Sequence, residues 1–126
     1  MRPMLAWRPM NRLAALALAF ALFPAFADKP PDEETARNVN VTLEPGKVHE
    51  ECMRVERGEK RRYYWKSSAP VDFNIHYHRG DEALYPVKRE RMRGDGGTFA
   101  AKSGEEYCWM WTAKAPAKIE GRIELR

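Results

Sequence analysis

The chain has 126 residues, with 22 Lys and Arg against 18 Asp and Glu and a formal charge of +4. Three of those basic residues, Arg2, Arg8 and Arg12, crowd the start, and the rest of the chain is close to neutral. A near-neutral body lacks the basic excess that a nucleic-acid partner calls for, and its length suits one small domain.

Arg2, Arg8 and Arg12 form a positive n-region, followed by an uncharged apolar run from Leu13 to Phe23 and the small-x-small pattern Ala25-Phe26-Ala27. Residues 1–27 read as a signal peptide cleaved after Ala27, which sends the protein to the periplasm or outside the cell. An uncleaved anchor is the alternative, but the run is short of the roughly 20 apolar residues that a membrane span needs. The mature chain has no other stretch that qualifies. Residues 28–38, with Pro30-Pro31 and Asp32-Glu33-Glu34, read as a flexible leader. A β-sandwich domain is expected over residues 39–126.

Short extended runs then alternate with turn residues, the pattern of an all-β sandwich or barrel. Val39 to Leu43 alternates and stops at Pro45-Gly46. Val48 to Val55 follows and stops at Arg57-Gly58. Arg61 to Lys66 carries Tyr63, Tyr64 and Trp65 and ends at Ser67-Ser68-Ala69-Pro70. Val71 to His78 is turned by Arg79-Gly80-Asp81. Leu84 to Lys88 contains Pro86, which suits an edge strand. Arg89 to Gly97 is charged and glycine-rich and reads as a loop. Thr98 to Lys102, Tyr107 to Ala113 and Ile119 to Leu125 complete the set. The expectation is an antiparallel β-sandwich of about eight strands without a notable helix.

Cys52 and Cys108 are the only cysteines. In an exported domain an even count reads most simply as one disulfide. A free, catalytic or metal-binding pair is the alternative, although no CxxC motif supports it.

The strand from Val71 to His78 alternates strictly. Val71, Phe73, Ile75 and Tyr77 take one face; Asp72, Asn74, His76 and His78 take the other. Two imidazoles two residues apart on a strand can chelate one ion, copper favoured over zinc. Asp81, Glu82 or His49 could add a further ligand, and Met110 a soft one for Cu(I). Otherwise the histidines line a polar face and hydrogen-bond to neighbours such as Asn74, or that face holds an organic or protein ligand. In Tyr107 to Trp111, alternation sets Tyr107, Trp109 and Trp111 opposite Cys108 and Met110. Either the Trp row is an exposed binding surface, or it is the core and the disulfide lies on the rim. The basic series Lys88, Arg89, Arg91 and Arg93 is diluted by Glu90 and Asp95 and reads as solvated. No nucleophile elbow, phosphate loop or HExxH motif occurs, so no catalysis is expected.

From Cys52 onward the order of features resembles the GOLD domain, the luminal β-sandwich of emp24/p24-type cargo proteins. The elements are Glu51-Cys52-Met53, Gly58, Tyr63-Tyr64-Trp65, Val71 to Ile75, Arg79-Gly80-Asp81 with Leu84-Tyr85-Pro86, Gly97-Thr98-Phe99, and Gly104 to Trp109. The resemblance implies a sandwich, a Cys52–Cys108 pairing and binding rather than catalysis. The chain departs from the family in placing Tyr107 directly before Cys108, and it carries no coiled coil, membrane helix or cytosolic tail. The expected function is therefore an exported binding or interaction module for a protein or small ligand of the cell envelope. It would use Asn74, Trp109 and Trp111. The alternative is a periplasmic metal-binding protein using His76, His78, His49 and Met110.

Overall fold

The computed structural model describes residues 34–126, and the expected signal peptide over residues 1–27 lies outside them. The described residues form six strands: β1 (Ala36–Leu43), β2 (Val48–Val55), β3 (Lys60–Arg79), β4 (Glu82–Ala100), β5 (Glu105–Ala113) and β6 (Ala117–Glu124). All pairings are antiparallel, in the order β1-β6-β3-β5-β2, with β4 joined to β3. The all-β class holds, with six strands in place of eight.

β3 is 20 residues long because it serves two walls. Its first half lies between β4 and β6, with Tyr63 opposite both Gly97 and Ile123. Its second half lies between β4 and β5, with Phe73 opposite both Arg89 and Trp111. The change of partner bends the β3–β4 hairpin, and the sheet curls into a half-barrel. β1 and β6 extend one wall; β5 and β2 extend the other.

Two expected breaks are corrected by this hairpin. Ser67-Ser68-Ala69-Pro70 is a bulge, since the pairing jumps from Lys66–Gly94 to Val71–Met92. Pro70 sits where the ladder is already interrupted, so its missing N–H costs no pairing. Arg89 to Gly97 is strand rather than loop. A Cβ on Gly94 would lie 3.0 Å from the Trp65 carbonyl oxygen, and one on Gly96 3.1 Å from that of Tyr63. These glycines let two backbones approach closely.

A second bulge sets Glu90 and Arg91 against Asp72 alone. Arg91 takes a φ of 50°, and its N–H donates to Asp72 Oδ1 at 3.0 Å. That bond, aided by Lys114, holds the Asp72 carboxyl below its ordinary pKa. Asp72 thus secures the backbone of its neighbour.

The core follows the alternation. Val71, Phe73 and Ile75 are buried, and they meet Trp65, Ile119 and Ile123 from the other wall. The Trp row joins them: Trp109 is 0% exposed and Trp111 1%. Phe73 lies 5.4 Å from Trp111 and 5.2 Å from Trp65, ring to ring. Such pairs add about 0.5–1.5 kcal/mol beyond burial. The disulfide takes the opposite face of β5, joining directly paired Cys52 and Cys108.

Gly121 of β6 lies beneath Trp65, and a Cβ there would stand 2.7 Å from Trp65 Cβ and 2.8 Å from the Tyr64 carbonyl oxygen. Gly121→Ala should therefore destabilise the domain by about 1–3 kcal/mol, the usual cost of overpacking. Urea unfolding measures it. An unchanged midpoint would show that the two strands separate freely.

Candidate functional site

Register decides which expected site residues meet. On the outer face of the β2–β5–β3 wall, one row runs Glu50, Met110, Asn74 and the next Cys52, Cys108, His76. His76 is 5% exposed, whereas His78 is open to solvent. Their rings are 5.1 Å apart. Asn74 Oδ1 accepts from His76 Nδ1 at 2.7 Å, and His76 Nε2 lies 3.4 Å from Glu50 Oε1. Burial lowers the His76 pKa, while the Glu50 charge opposes that and His78 adds to it.

His49 does not join them. It pairs with Trp111, and directly paired residues share a face of the sheet. Its ring lies 6.0 Å from that of Trp111, and its Nε2 is 3.0 Å from Glu51 Oε1. Met110 is on the histidine face, in register with Asn74 and Glu50. Trp109 and Trp111, expected as binding residues, are core and have no surface to offer. Glu50 was missed because only the β2–β5–β3 register brings it to His76.

The basic series is tied down piecemeal. Arg89 faces Asp95 at 3.9 Å, Arg93 donates to the Ser68 carbonyl at 3.1 Å, and the Lys88 ammonium lies 5.3 Å from the centre of the Tyr85 ring.

The second arrangement is the open mouth of the half-barrel, a cavity of about 430 Å³. β3 supplies Tyr63 and Tyr77, β4 supplies Leu84 to Val87 and Thr98 to Ala100, and β5 supplies Tyr107. Lys102 and Ser103 come from the β4–β5 turn. The rings brace one another: Phe99 and Tyr107 lie 4.8 Å apart, Tyr77 and Tyr107 5.1 Å. Tyr107 donates its hydroxyl proton to the Ser103 carbonyl at 2.8 Å. Burial first, then the Asp95 charge, raises the Tyr63 pKa, so this phenol stays protonated.

Tyr85 stands between the two arrangements. A third bulge sets Tyr85 and Pro86 opposite His76. Tyr85 is 47% exposed, lines the cavity and places its ring 5.7 Å from that of His76. The sequence reading missed this cavity. Its rings are scattered from Tyr63 to Tyr107, and each looks like an ordinary strand aromatic until the hairpin bends.

Fold and site together define a small, disulfide-stapled all-β domain whose curled sheet opens on a mouth lined with aromatic rings. In fold it is similar to the Yersinia pseudotuberculosis-derived mitogen, with a TM-score of 0.50 and 11% identity over 73% of this chain and 86% of that one. It is also similar to the pre-peptidase C-terminal domain of a Bacillus anthracis collagenase, with a TM-score of 0.53 and 11% identity over 71% and 88% of the two chains. At such identity the likeness is one of fold. No protein-family model matches the chain, and no curated protein is significantly similar to it.

Proposed function

We propose that this protein is a non-catalytic binding module of the bacterial periplasm, and that it holds a small organic ligand in the mouth of the half-barrel. The cavity of about 430 Å³ carries the reading, since a concave site lined mainly by aromatic and aliphatic residues, with a few polar groups, is the usual form of a ligand site. Tyr77, Tyr85 and Phe99 offer ring faces and edges to a planar or apolar body. Lys102 brings the one formal charge among the lining residues, and a positive one. The ligand class that fits is a ring-bearing molecule with an anionic end, such as an aromatic carboxylate. The disulfide suits an oxidising compartment and accords with the export signal expected over residues 1–27.

The test is ligand-detected NMR with aromatic carboxylates, matched aromatic amines and neutral sugars. The carboxylates should bind and compete with one another. Tyr85→Ala and Lys102→Met should each abolish their binding while leaving the unfolding midpoint within the small range usual for surface substitutions, about 0.5 kcal/mol. No binding across the panel, or binding untouched by both substitutions, would remove the mouth as the site.

A further inference from the structure

We propose that Glu50, His76 and His78 form a site for one divalent transition-metal ion, with Cu(II) held more tightly than Zn(II). The proposal concerns the outer face of the β2–β5–β3 wall and does not depend on the mouth binding anything.

The orientation of His76 carries it. Asn74 Oδ1 accepts from Nδ1 at 2.7 Å, so in the neutral ring Nδ1 bears the hydrogen and Nε2 presents its lone pair. That lone pair faces the Glu50 carboxylate, with Oε1 at 3.4 Å. A lone pair against an anion is repulsive, and a cation between them turns both into ligands. The spacing suits this. Two donors bound at about 2.0–2.1 Å around a tetrahedral ion stand roughly 3.3 Å apart. Metal-bound histidines almost always donate their other ring N–H to an oxygen acceptor, which is the role Asn74 fills here.

The third ligand has one good source. Cys108 Sγ lies within 4.8 Å of the Glu50 and His76 donor atoms, but it is committed to the disulfide and cannot act as a thiolate. His78 is on the same face and exposed, with its ring centre 5.1 Å from that of His76, and a turn of its side chain would bring a ring nitrogen to the Glu50–His76 pair. Two imidazoles and a carboxylate leave a fourth position for water. This nitrogen and oxygen set without thiolate suits Cu(II) and Zn(II), with copper the tighter by the Irving–Williams order.

The experiment uses untagged protein stripped with EDTA and titrated with Cu(II) or Zn(II), followed by calorimetry and, for copper, by EPR. One Cu(II) per chain should bind, with nitrogen hyperfine structure from two imidazoles. Asn74→Ala should weaken binding roughly 10–100-fold. Glu50→Gln and His78→Gln remove ligands at exposed positions that the fold tolerates, and they should cost at least as much. His49→Gln, on the opposite face, should change nothing. Absence of stoichiometric binding by the wild-type protein would leave His76 and Glu50 as a simple proton-sharing pair and overturn the site. So would an affinity unchanged by Glu50→Gln and His78→Gln, or one lost with His49→Gln.

Discussion

Removing the Cys52–Cys108 disulfide, by reduction or by replacing both cysteines with Ala, should lower the unfolding free energy by about 4 kcal/mol. In the chain-entropy picture the value follows from the loop length, since the bonded residues are 56 apart in sequence. A domain of this size has about 5–15 kcal/mol in total, so the loss is a large share. It corresponds to a fall in Tm of roughly 15–30 °C. The effect should also be local. β2 ends the strand order and has β5 as its ladder partner, with Cys52 and Cys108 directly opposed in the middle of that ladder. Without the bond, β2 should exchange its amide hydrogens faster than β3 or β5 under native conditions. Urea titration with and without reductant gives the first quantity and hydrogen exchange the second. An unchanged midpoint would mean that β2 is held by its ladder and packing alone.

The second large effect is Trp109→Ala, expected to cost about 3–5 kcal/mol. Trp109 is fully buried, with Phe99 at 5.6 Å and Tyr63 at 6.2 Å, both in edge-on arrangements. Tyr63 and Phe99 come from the two strands of the hairpin where it pairs with β6, and Trp109 from β5 on the other wall, so the cavity left by the indole opens where the walls meet. A ring on an exposed binding row would behave otherwise, since surface substitutions usually stay within about 0.5 kcal/mol. Equilibrium unfolding of the variant therefore separates core from surface. A loss below about 1 kcal/mol would contradict the packing described.

Local features were legible and long-range ones were not. The alternation in Val71 to His78 identified an inner strand face, because side chains on a strand alternate whatever the partners. The turns at Pro45-Gly46, Arg57-Gly58 and Gly80-Asp81 fell where their residues suggest. The Cys52–Cys108 bond followed from compartment and count. The face of Trp109 and Trp111 could not be read from β5 alone, because either parity alternates equally well. It is fixed by Phe73 and Ile75, which pair with Trp111 and Trp109 and are themselves core.

Bulges hid the rest. Ser67 to Pro70 and the glycines around Gly94 have turn and loop compositions, yet they lie within two unbroken strands. The same bulging aims Tyr85 across the mouth. His49 shows the limit most plainly: as a residue type it suits a metal site, but its pairing with Trp111 sends it to the other face. Glu50, its neighbour in sequence, arrives at His76 for the same reason.

The account's central functional claim is that ligand enters the mouth of the half-barrel rather than meeting the Trp row or an outer wall. Chemical-shift mapping of the labelled protein with a bound aromatic carboxylate tests it most directly. The largest changes should fall on Tyr77, Tyr85, Phe99, Lys102 and Ser103. Changes centred on the outer faces of β1 and β6, or around His49 and Glu51, would contradict it.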